Sequence, residues 1–300
     1  MDTALLTSFL EVAQRLHFGQ AADRLGMTQP TLSQQIRRLE HQVGATLLER
    51  TSRHVRLTKA GEALIPQARR VLADLERAVF HCRAVAAGGV GHLKVGSIGA
   101  ALNSVTPHLV RGLRERVPGL VVQLTQMDSP VQLAALHAGE LDFGIVRAAE
   151  PVAGIALDDL FSEPMIVALS SDHRLAAVDR VTAVDLSEEF FVLWPRTASP
   201  LFHDQVLAYC REAGVEPRIA MEGADIETQL GLVSAGIGVS PQPASFANLR
   251  RRNVTFRPLA DAPTSTVQLA WRATSPPEHL GPMIEIAHGA AELVLRQCAL

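Results

Sequence analysis

The sequence predicts a multidomain α/β protein with a small helical head, a long connecting helix and a larger body of alternating strands and helices. Apolar residues recur at helical spacing through the head, and one apolar stripe then continues from Thr58 to about Ala87. After the glycine-rich stretch Gly88–Gly91, strand and helix signals alternate. Because 300 residues exceed what one hydrophobic core usually holds, we expect domains at 1–58, 59–88 and 91–300.

The head is predicted to contain three helices followed by a β-hairpin. Apolar spacing places the first helix at about 4–16 and a short second one at 20–25. Thr28 can cap a third helix, and Pro30 fits its first turn because no N–H is needed there. The buried stripe of this third helix comprises Leu32, Ile36, Leu39 and Val43. Two short apolar segments, 47–50 and 55–57, flank a polar turn and predict the hairpin.

The polar face of the third helix has two interpretations. Glutamine, arginine and hydroxyl side chains can pair with base edges, so a helix-turn-helix would place this face in the major groove. Residues 1–60 carry eight basic and five acidic side chains, whereas the whole chain has a net charge of −3, which favours a polyanion partner for the head. An ordinary three-helix bundle with a polar surface fits the same helix pattern.

The connecting helix carries an apolar stripe close to a coiled-coil seam. Its members are separated by three or four residues: Leu64, Ala68, Val71, Leu75, Val79 and Cys82. Roughly 29 residues at 1.5 Å each make a rod of about 43 Å. Such a rod needs a partner for its stripe, and a second copy of the chain is the simplest one. We expect a local bend at Pro66.

The body is predicted to form two lobes with ligand space at the strand ends between them. Lobe I covers about 91–162 and 266–300, and lobe II covers about 163–265. The predicted strands are Leu93–Ser97, Val121–Met127, Asp142–Val146, Met165–Leu169, Phe191–Trp194, Ile219–Met221, Gly238–Ser240, Val254–Leu259 and Val267–Arg272.

Composition narrows the class of protein. Hydrophobic residues make up 47% and charged residues 20%, the balance of a soluble globular chain. No apolar run approaches membrane-spanning length, and the N-terminus lacks a signal peptide, so we expect a cytoplasmic protein without a membrane partner. The three cysteines are far apart in sequence, which argues against a disulfide framework or a zinc ribbon. We predict no metal and no cofactor.

Several stretches resemble the LysR-type transcriptional regulators over essentially the whole chain. They are Phe18–Leu25, Thr28–Glu40, Leu47–Arg50, Arg56–Gly61, Gly139–Gly144 and Leu232–Val239. The resemblance implies a winged helix-turn-helix, a linker helix and a two-lobed effector domain similar to periplasmic binding proteins. It also implies double-stranded promoter DNA, a small-molecule effector and RNA polymerase as partners, and a homodimer or homotetramer built from paired linker helices.

The same resemblance assigns DNA contacts within the head. Residues expected to face bases or adjacent phosphates are Gln29, Pro30, Thr31, Ser33 and Gln34. Residues expected to hold the protein on the DNA backbone are Arg37, Arg50 and Arg53.

In the body, residues 194–200, 214–217 and 229–233 are similar to the branch that governs aromatic-compound catabolism. This similarity implies a small acid, aromatic or dicarboxylic, as effector. The implied effector-binding residues are Ser97, Ala100, Ser129, Arg147, Phe202 and Ile226. Helix capping is an alternative role for Ser97 and Ser129, and a structural salt bridge is an alternative for Arg147. Asp128 adds a negative charge beside the expected anion site.

Three other classes of protein fit less well. No HExxH, GxSxG or Walker motif is present and the histidines are scattered, so we predict no catalytic residues and no enzyme. A transporter's solute-binding protein would need export and would not carry the head. A redox sensor would need a reactive cysteine pair, whereas Cys210 has no cysteine near it in sequence and lies on a predicted amphipathic helix.

Overall fold

The computed structural model describes residues 2–50, 54–86, 91–147, 149–277 and 279–298. The chain divides into two compact units, the first formed mainly by residues up to Gly91 and the second by most of the remainder. Within the described ranges, no helix combines the length and the apolar character that a membrane crossing requires.

The first unit contains the three predicted helices, the hairpin and the connecting helix. Its elements are α1 (Thr3–Arg15), α2 (Phe18–Arg24), α3 (Gln29–Val43), β1 (Leu48–Arg50), β2 (Val55–Leu57) and α4 (Lys59–Ala86). β1 and β2 pair antiparallel, with Leu48 opposite Leu57. The hairpin prediction is thus confirmed, while its turn at 51–53 lies outside the described residues.

Local chemistry fixes where α3 begins and where the hairpin attaches. The Thr28 hydroxyl caps α3 by accepting the Thr31 amide hydrogen, and Gly44 ends the helix in the left-handed region at φ 74°. One carboxylate oxygen of Glu40 accepts the backbone amides of Leu47 at 2.9 Å and Leu48 at 3.2 Å. Glu40 therefore ties the hairpin to α3, so that the hairpin has a fixed position beside the helix.

The apolar stripe of α4 is buried at its beginning and exposed further along the helix. Ala68 is buried in the core of the first unit, and Leu64 packs against the same core. Further along, Val71, Leu75 and Val79 are 48%, 45% and 43% exposed. The stripe predicted from sequence is therefore continuous, but only its beginning is covered within one chain.

The second unit contains ten strands and six α-helices in its described part. The strands are β3 (Gly91–Ser97), β4 (Leu120–Gln126), β5 (Phe143–Arg147), β6 (Ile155–Glu163), β7 (Met165–Ser170), β8 (Phe190–Leu193), β9 (Arg218–Glu222), β10 (Ser240–Pro243), β11 (Val254–Pro258) and β12 (Ser265–Arg272). The helices are α5 (Gly99–Leu102), α6 (Val105–Arg116), α7 (Ser129–Ala138), α8 (Pro200–Glu212), α9 (Ile226–Ser234) and α10 (Leu280–Cys298).

These elements surround two main cores, which define what we call the first and second lobes. The first lobe has a five-stranded sheet in the order β4-β3-β5-β12-β6, with α6 and α10 packed against it. β3 and β5 are parallel, whereas β12 runs antiparallel to both of its neighbours. The second lobe contains the antiparallel sheet β10-β7-β11 and the parallel pair β8-β9, together with α8 and α9.

Two strand expectations need correction. β6 was not predicted, because Asp158 and Asp159 interrupt its apolar alternation; as an edge strand it can tolerate this. The strand predicted at Gly238–Ser240 lies instead at Ser240–Pro243. Pro241 and Pro243 argue against a strand in a sequence, yet β10 lies at the edge of its sheet, where a missing N–H leaves no partner unsatisfied.

Gly61 in α4 lies against the backbone of Leu47, the residue before the hairpin. A Cβ atom at Gly61 would lie 2.2 Å from the Leu47 carbonyl oxygen, a backbone atom that cannot move alone. We expect Gly61→Ala to lower the free energy of unfolding of the first unit by about 1–3 kcal/mol through overpacking. Differential scanning calorimetry of the full chain would measure the change.

Gly289→Ala is the matched control, because position 289 is exposed within α10 and an added Cβ would meet nothing within 4 Å. Alanine is the better helix former, so this variant should gain roughly 0.5–1 kcal/mol. Equal stability of the two variants would contradict the steric argument for Gly61.

Candidate functional site

The outer face of α3 is the first candidate site. Four of its predicted contact residues are exposed: Gln29, Pro30, Thr31 and Gln34. Arg37 is exposed as well, whereas Ser33 is half-buried. The opposite face of the helix, with Leu32, Ile36 and Leu39, lies fully within the core of the first unit. A helix held by one face in this way presents its polar side chains to a ligand on the other.

Two predicted DNA contacts cannot be placed in the same way. Arg50 ends β1, but its side chain is outside the described part of the structure. Arg53 lies in the segment 51–53, which is also outside it. Both therefore remain predictions.

The second candidate site is a cleft in the second unit that lies between the two lobes. About 420 Å³ of space lies between its lining residues when the open solvent at its mouth is included. The first lobe contributes Ile98, Gly99, Ala100, Asp128, Ser129 and Arg147 to its lining. The second lobe contributes Trp194, Ala198, Ser199, Phe202, Pro243 and Phe246. The charged residues of this lining thus come from the first lobe and its aromatic residues from the second.

Arg147 lies at the end of β5 and is 6% exposed. One of its guanidinium nitrogens donates to Oε1 of Glu163 at 2.5 Å, and another donates to the Ser265 hydroxyl at 2.9 Å. From the sequence, Arg147 could form either a salt bridge or a contact to a ligand. The structure contains the salt bridge and also places Arg147 in the cleft lining, so the charge of this lining residue is already paired.

The carboxylate that pairs with Arg147 belongs to Glu163, which is 2% exposed and also accepts hydrogen bonds from Ser245. Its Oε2 atom accepts the backbone amide of Ser245 at 2.5 Å, and Oε1 accepts the Ser245 hydroxyl at 3.2 Å. Ser245 is the second residue of the short 3-10 helix Ala244–Asn248. A single buried network therefore joins β5, the end of β6, the start of β12 and a segment of the second lobe.

Three other predicted effector residues reach the cleft. Ser129 begins α7, and its hydroxyl accepts the backbone amide of Arg147 at 3.0 Å, which leaves its own proton available to a ligand. Ala100 and Phe202 are 4% and 3% exposed and lie on opposite sides of the space. The apolar Ala100 offers no hydrogen bond at its position.

Ser97 and Ile226 are not in the cleft lining. The Ser97 hydroxyl is fully buried and shares a 2.8 Å hydrogen bond with the Thr106 hydroxyl, so it neither faces a ligand nor caps a helix. Ile226 packs in an apolar cluster with Ala100 and Phe246, behind the surface of the cleft. Local packing turns both side chains inward in this structure, and their contacts to an effector remain predictions.

The sequence did not identify the aromatic wall of the cleft. The rings of Trp194 and Phe246 stack with centroids 6.1 Å apart and an angle of 21° between their planes. The Trp194 indole N–H donates to Oε1 of Gln242 at 3.0 Å, and Gln242 is itself bonded to Gln229 at 2.6 Å. The buried amide side chains hold the indole in place. Because Trp194 and Gln242 are 48 positions apart, no local sequence pattern could predict this contact.

Cys210 lacks the environment of a redox-active thiol. It is fully buried in the core of the second lobe, and burial raises the pKa of its thiol to about 11. Since the thiolate is the reactive form, Cys210 is chemically protected at neutral pH. Its location agrees with the predicted role in core packing.

Comparison with known proteins identifies the same architecture. Residues 3–62 match the model of bacterial regulatory helix-turn-helix proteins of the lysR family, and residues 86–291 match the LysR substrate binding domain. The transcriptional regulator IlvR of Caulobacter vibrioides is 38% identical over 276 residues, which cover 91% of this chain and 92% of the relative.

Two solved structures are similar to the chain. Full-length CbnR in complex with its target DNA is 30% identical, has a TM-score of 0.74, and covers 97% of this chain and 100% of its own. The BenM effector binding domain with its effector benzoate is 25% identical with a TM-score of 0.61, covering 67% of this chain and 92% of its own.

The buried network around Arg147 generates the second prediction. Glu163→Gln removes the charge that compensates a guanidinium only 6% exposed. We expect the variant to lose about 3–5 kcal/mol of unfolding free energy, as is typical when one partner of a buried ion pair is removed. Urea unfolding followed by tryptophan fluorescence is suitable, since both tryptophans, Trp194 and Trp271, belong to the second unit.

Glu285→Gln provides the control for this prediction, because Glu285 pairs with Arg116 on the surface, where both side chains are more than half exposed. An exposed pair contributes less than about 1 kcal/mol. If both variants unfolded at the same urea concentration, the Arg147–Glu163 pair would not have the structural importance assigned to it.

The two described cysteine side chains generate the third prediction. Exposed Cys82 should react with iodoacetamide in the folded protein, whereas Cys210 should react only after unfolding, because its thiol is buried and protonated. Mass spectrometry of tryptic peptides after timed labelling at pH 8 would measure both rates. Labelling of Cys210 as fast as Cys82 in folded protein would refute the assignment of Cys210 to the core.

Proposed function

Because this chain belongs to the LysR family of bacterial transcriptional regulators, we propose that it binds promoter DNA through the outer face of α3 and that a small molecule in the cleft modulates this binding. Membership of the family makes the chain a DNA-binding regulator and not an enzyme. The observation that carries the proposal is the exposed polar face of α3, whose opposite face is fixed in the core.

For DNA recognition we propose two groups of contacts. Gln29 and Gln34 have amide groups that can bond two atoms of an adenine edge, and the neighbouring Pro30, Thr31 and Ser33 face bases or adjacent phosphates. Backbone contacts come from Arg37, Arg50 and Arg53. The complex of CbnR with its target DNA supports this use of the head in a similar protein.

For the effector we propose a small carboxylic acid, aromatic or dicarboxylic. Benzoate is the effector in the similar BenM domain, which supports this chemical class. Ala100, Ser129, Arg147 and Phe202 would contact the ligand, while Ser97 and Ile226 would act from behind the lining. The stacked rings of Trp194 and Phe246 supply an apolar surface for the body of the molecule.

For assembly we propose that the exposed part of the α4 stripe pairs with a second chain, and that two such dimers form a tetramer on DNA. Val71, Leu75 and Val79 supply the uncovered apolar surface. We propose domains at 1–58, 59–88 and 91–300, with lobe I at about 91–162 and 266–300 and lobe II at about 163–265. The protein would act in the cytoplasm, where RNA polymerase is its further partner.

The proposed mechanism is a two-state equilibrium. An effector that contacts both sides of the cleft binds better to one arrangement of the lobes than to the other, and it can shift the equilibrium only by that difference in affinity. The favoured arrangement changes the spacing of the heads along the operator and thereby the recruitment or release of RNA polymerase.

Binding to specific and random DNA tests the proposal. Gln29→Ala should weaken binding to the specific operator by about 1–3 kcal/mol and leave binding to random DNA nearly unchanged, because base contacts carry sequence information. The operator would first be located by footprinting upstream of the regulated gene, and affinities would then be measured by fluorescence anisotropy.

Arg37→Ala is the companion variant. A contact to phosphate weakens binding to both DNAs and lowers the slope of log affinity against log salt by about one. If Gln29→Ala weakened both DNAs equally, Gln29 would not read bases. If neither variant affected either DNA, the outer face of α3 would not be the DNA-binding surface.

A further inference from the structure

The charges that line the cleft do not balance. Its lining contains two ionisable side chains, Asp128 and Arg147. The guanidinium of Arg147 is already bound to the buried carboxylate of Glu163 at 2.5 Å. The carboxylate of Asp128 is therefore the charge of this lining that has no ion-pair partner in the described part of the chain.

Asp128 is separate from the hydrogen-bond network beside it. In the described part of the chain its carboxylate forms no ion pair and accepts no hydrogen bond, although it directly precedes Ser129 at the start of α7. Asp128 is exposed to solvent, and partial removal of its carboxylate from water raises its pKa with no neighbouring cation to offset that effect. A positive group brought by a ligand would be the first ion-pair partner of this carboxylate.

Groups that suit a carboxylate lie in the same lining. Ser129 begins the ten-residue helix α7, and Ser199 precedes the thirteen-residue helix α8. The Ser199 side chain forms no capping bond to its helix, so its hydroxyl can donate to a ligand. Backbone amides at the beginning of both helices favour negative charge.

We propose that the effector is an amino acid, whose ammonium group pairs with Asp128 and whose carboxylate binds the hydroxyls of Ser129 and Ser199. Its side chain lies against the aromatic wall of Trp194 and Phe246. This inference rests on the proposed function, and it specifies the class of acid that occupies the cleft.

Charge distinguishes an amino acid from a plain acid in this site. A plain carboxylate can use the same hydroxyls and amides, but it meets repulsion from Asp128 and brings no group that pairs with that side chain. A zwitterion brings no net charge and places each of its charged groups near a suitable partner. The preference therefore depends on Asp128 more than on any other residue of the lining.

Matched ligand pairs test the inference. Phenylalanine would be compared with 3-phenylpropionate, and leucine with 4-methylpentanoate, since each pair differs only by the amine; the other standard amino acids complete the panel. Isothermal titration of the full chain at pH 7 should show an amino acid that binds at least about tenfold more tightly than its deaminated partner.

Three variants locate the interaction. Asp128→Asn should bring the affinity ratio within a pair close to one, whereas Asp179→Asn, the same change at an exposed site outside the cleft, should preserve the ratio. Ser129→Ala should weaken both members of a pair to the same extent, because it removes a contact to the carboxylate that they share. Their melting temperatures without ligand would verify that the variants fold.

The outcomes separate this inference from the proposed function. If a plain acid bound as tightly as its amino partner and Asp128→Asn left the ratio unchanged, the effector would be an ordinary acid and the proposed function would stand. Binding of no compound in the panel would overturn the inference, and the DNA-binding experiment above decides the proposed function independently.

Discussion

The buried ion pair between Arg147 and Glu163 is the interaction on which the second unit most depends. Two charges that are almost fully removed from water persist only if each is paired and further hydrogen-bonded, and Ser265 and Ser245 supply those bonds. The pair therefore constrains the ends of β5 and β6 and the start of β12 relative to one another. It also affects the electrostatics of the cleft, because the charge of the lining residue Arg147 is already paired.

The first unit is organised by a different constraint, the division of each helix into two faces. α3 can present an unbroken polar surface because Leu32, Ile36 and Leu39 hold its other face in the core. α4 extends this arrangement, since the stripe that packs in the core at Leu64 and Ala68 continues as exposed apolar surface at Val71. One helical periodicity thus provides both the internal packing of the head and an exposed apolar surface beyond it.

The sequence predicted those features that depend on neighbouring residues and missed those that depend on distant ones. The start of α3 at Thr28 follows from capping chemistry and was predicted, and its end at Gly44 also depends on a local residue preference. Ser97 faces Thr106 because of the packing of α6, which no local pattern specifies. Likewise Glu163 meets Arg147 only through the register of β5, β12 and β6, so the sequence could offer a salt bridge without naming its partner.

The composition of the cleft explains how a small ligand can influence the arrangement of the lobes. Ala100, Asp128 and Ser129 belong to the first lobe, whereas Trp194, Phe202 and Phe246 belong to the second. A ligand that contacts both groups has an affinity that depends on their separation, and this dependence is what a two-state equilibrium requires. The Arg147–Glu163–Ser245 network already joins the same two lobes beside the cleft. Ligand and network therefore act on the same separation, and a ligand that altered it would have to do so against the geometry of a buried ion pair.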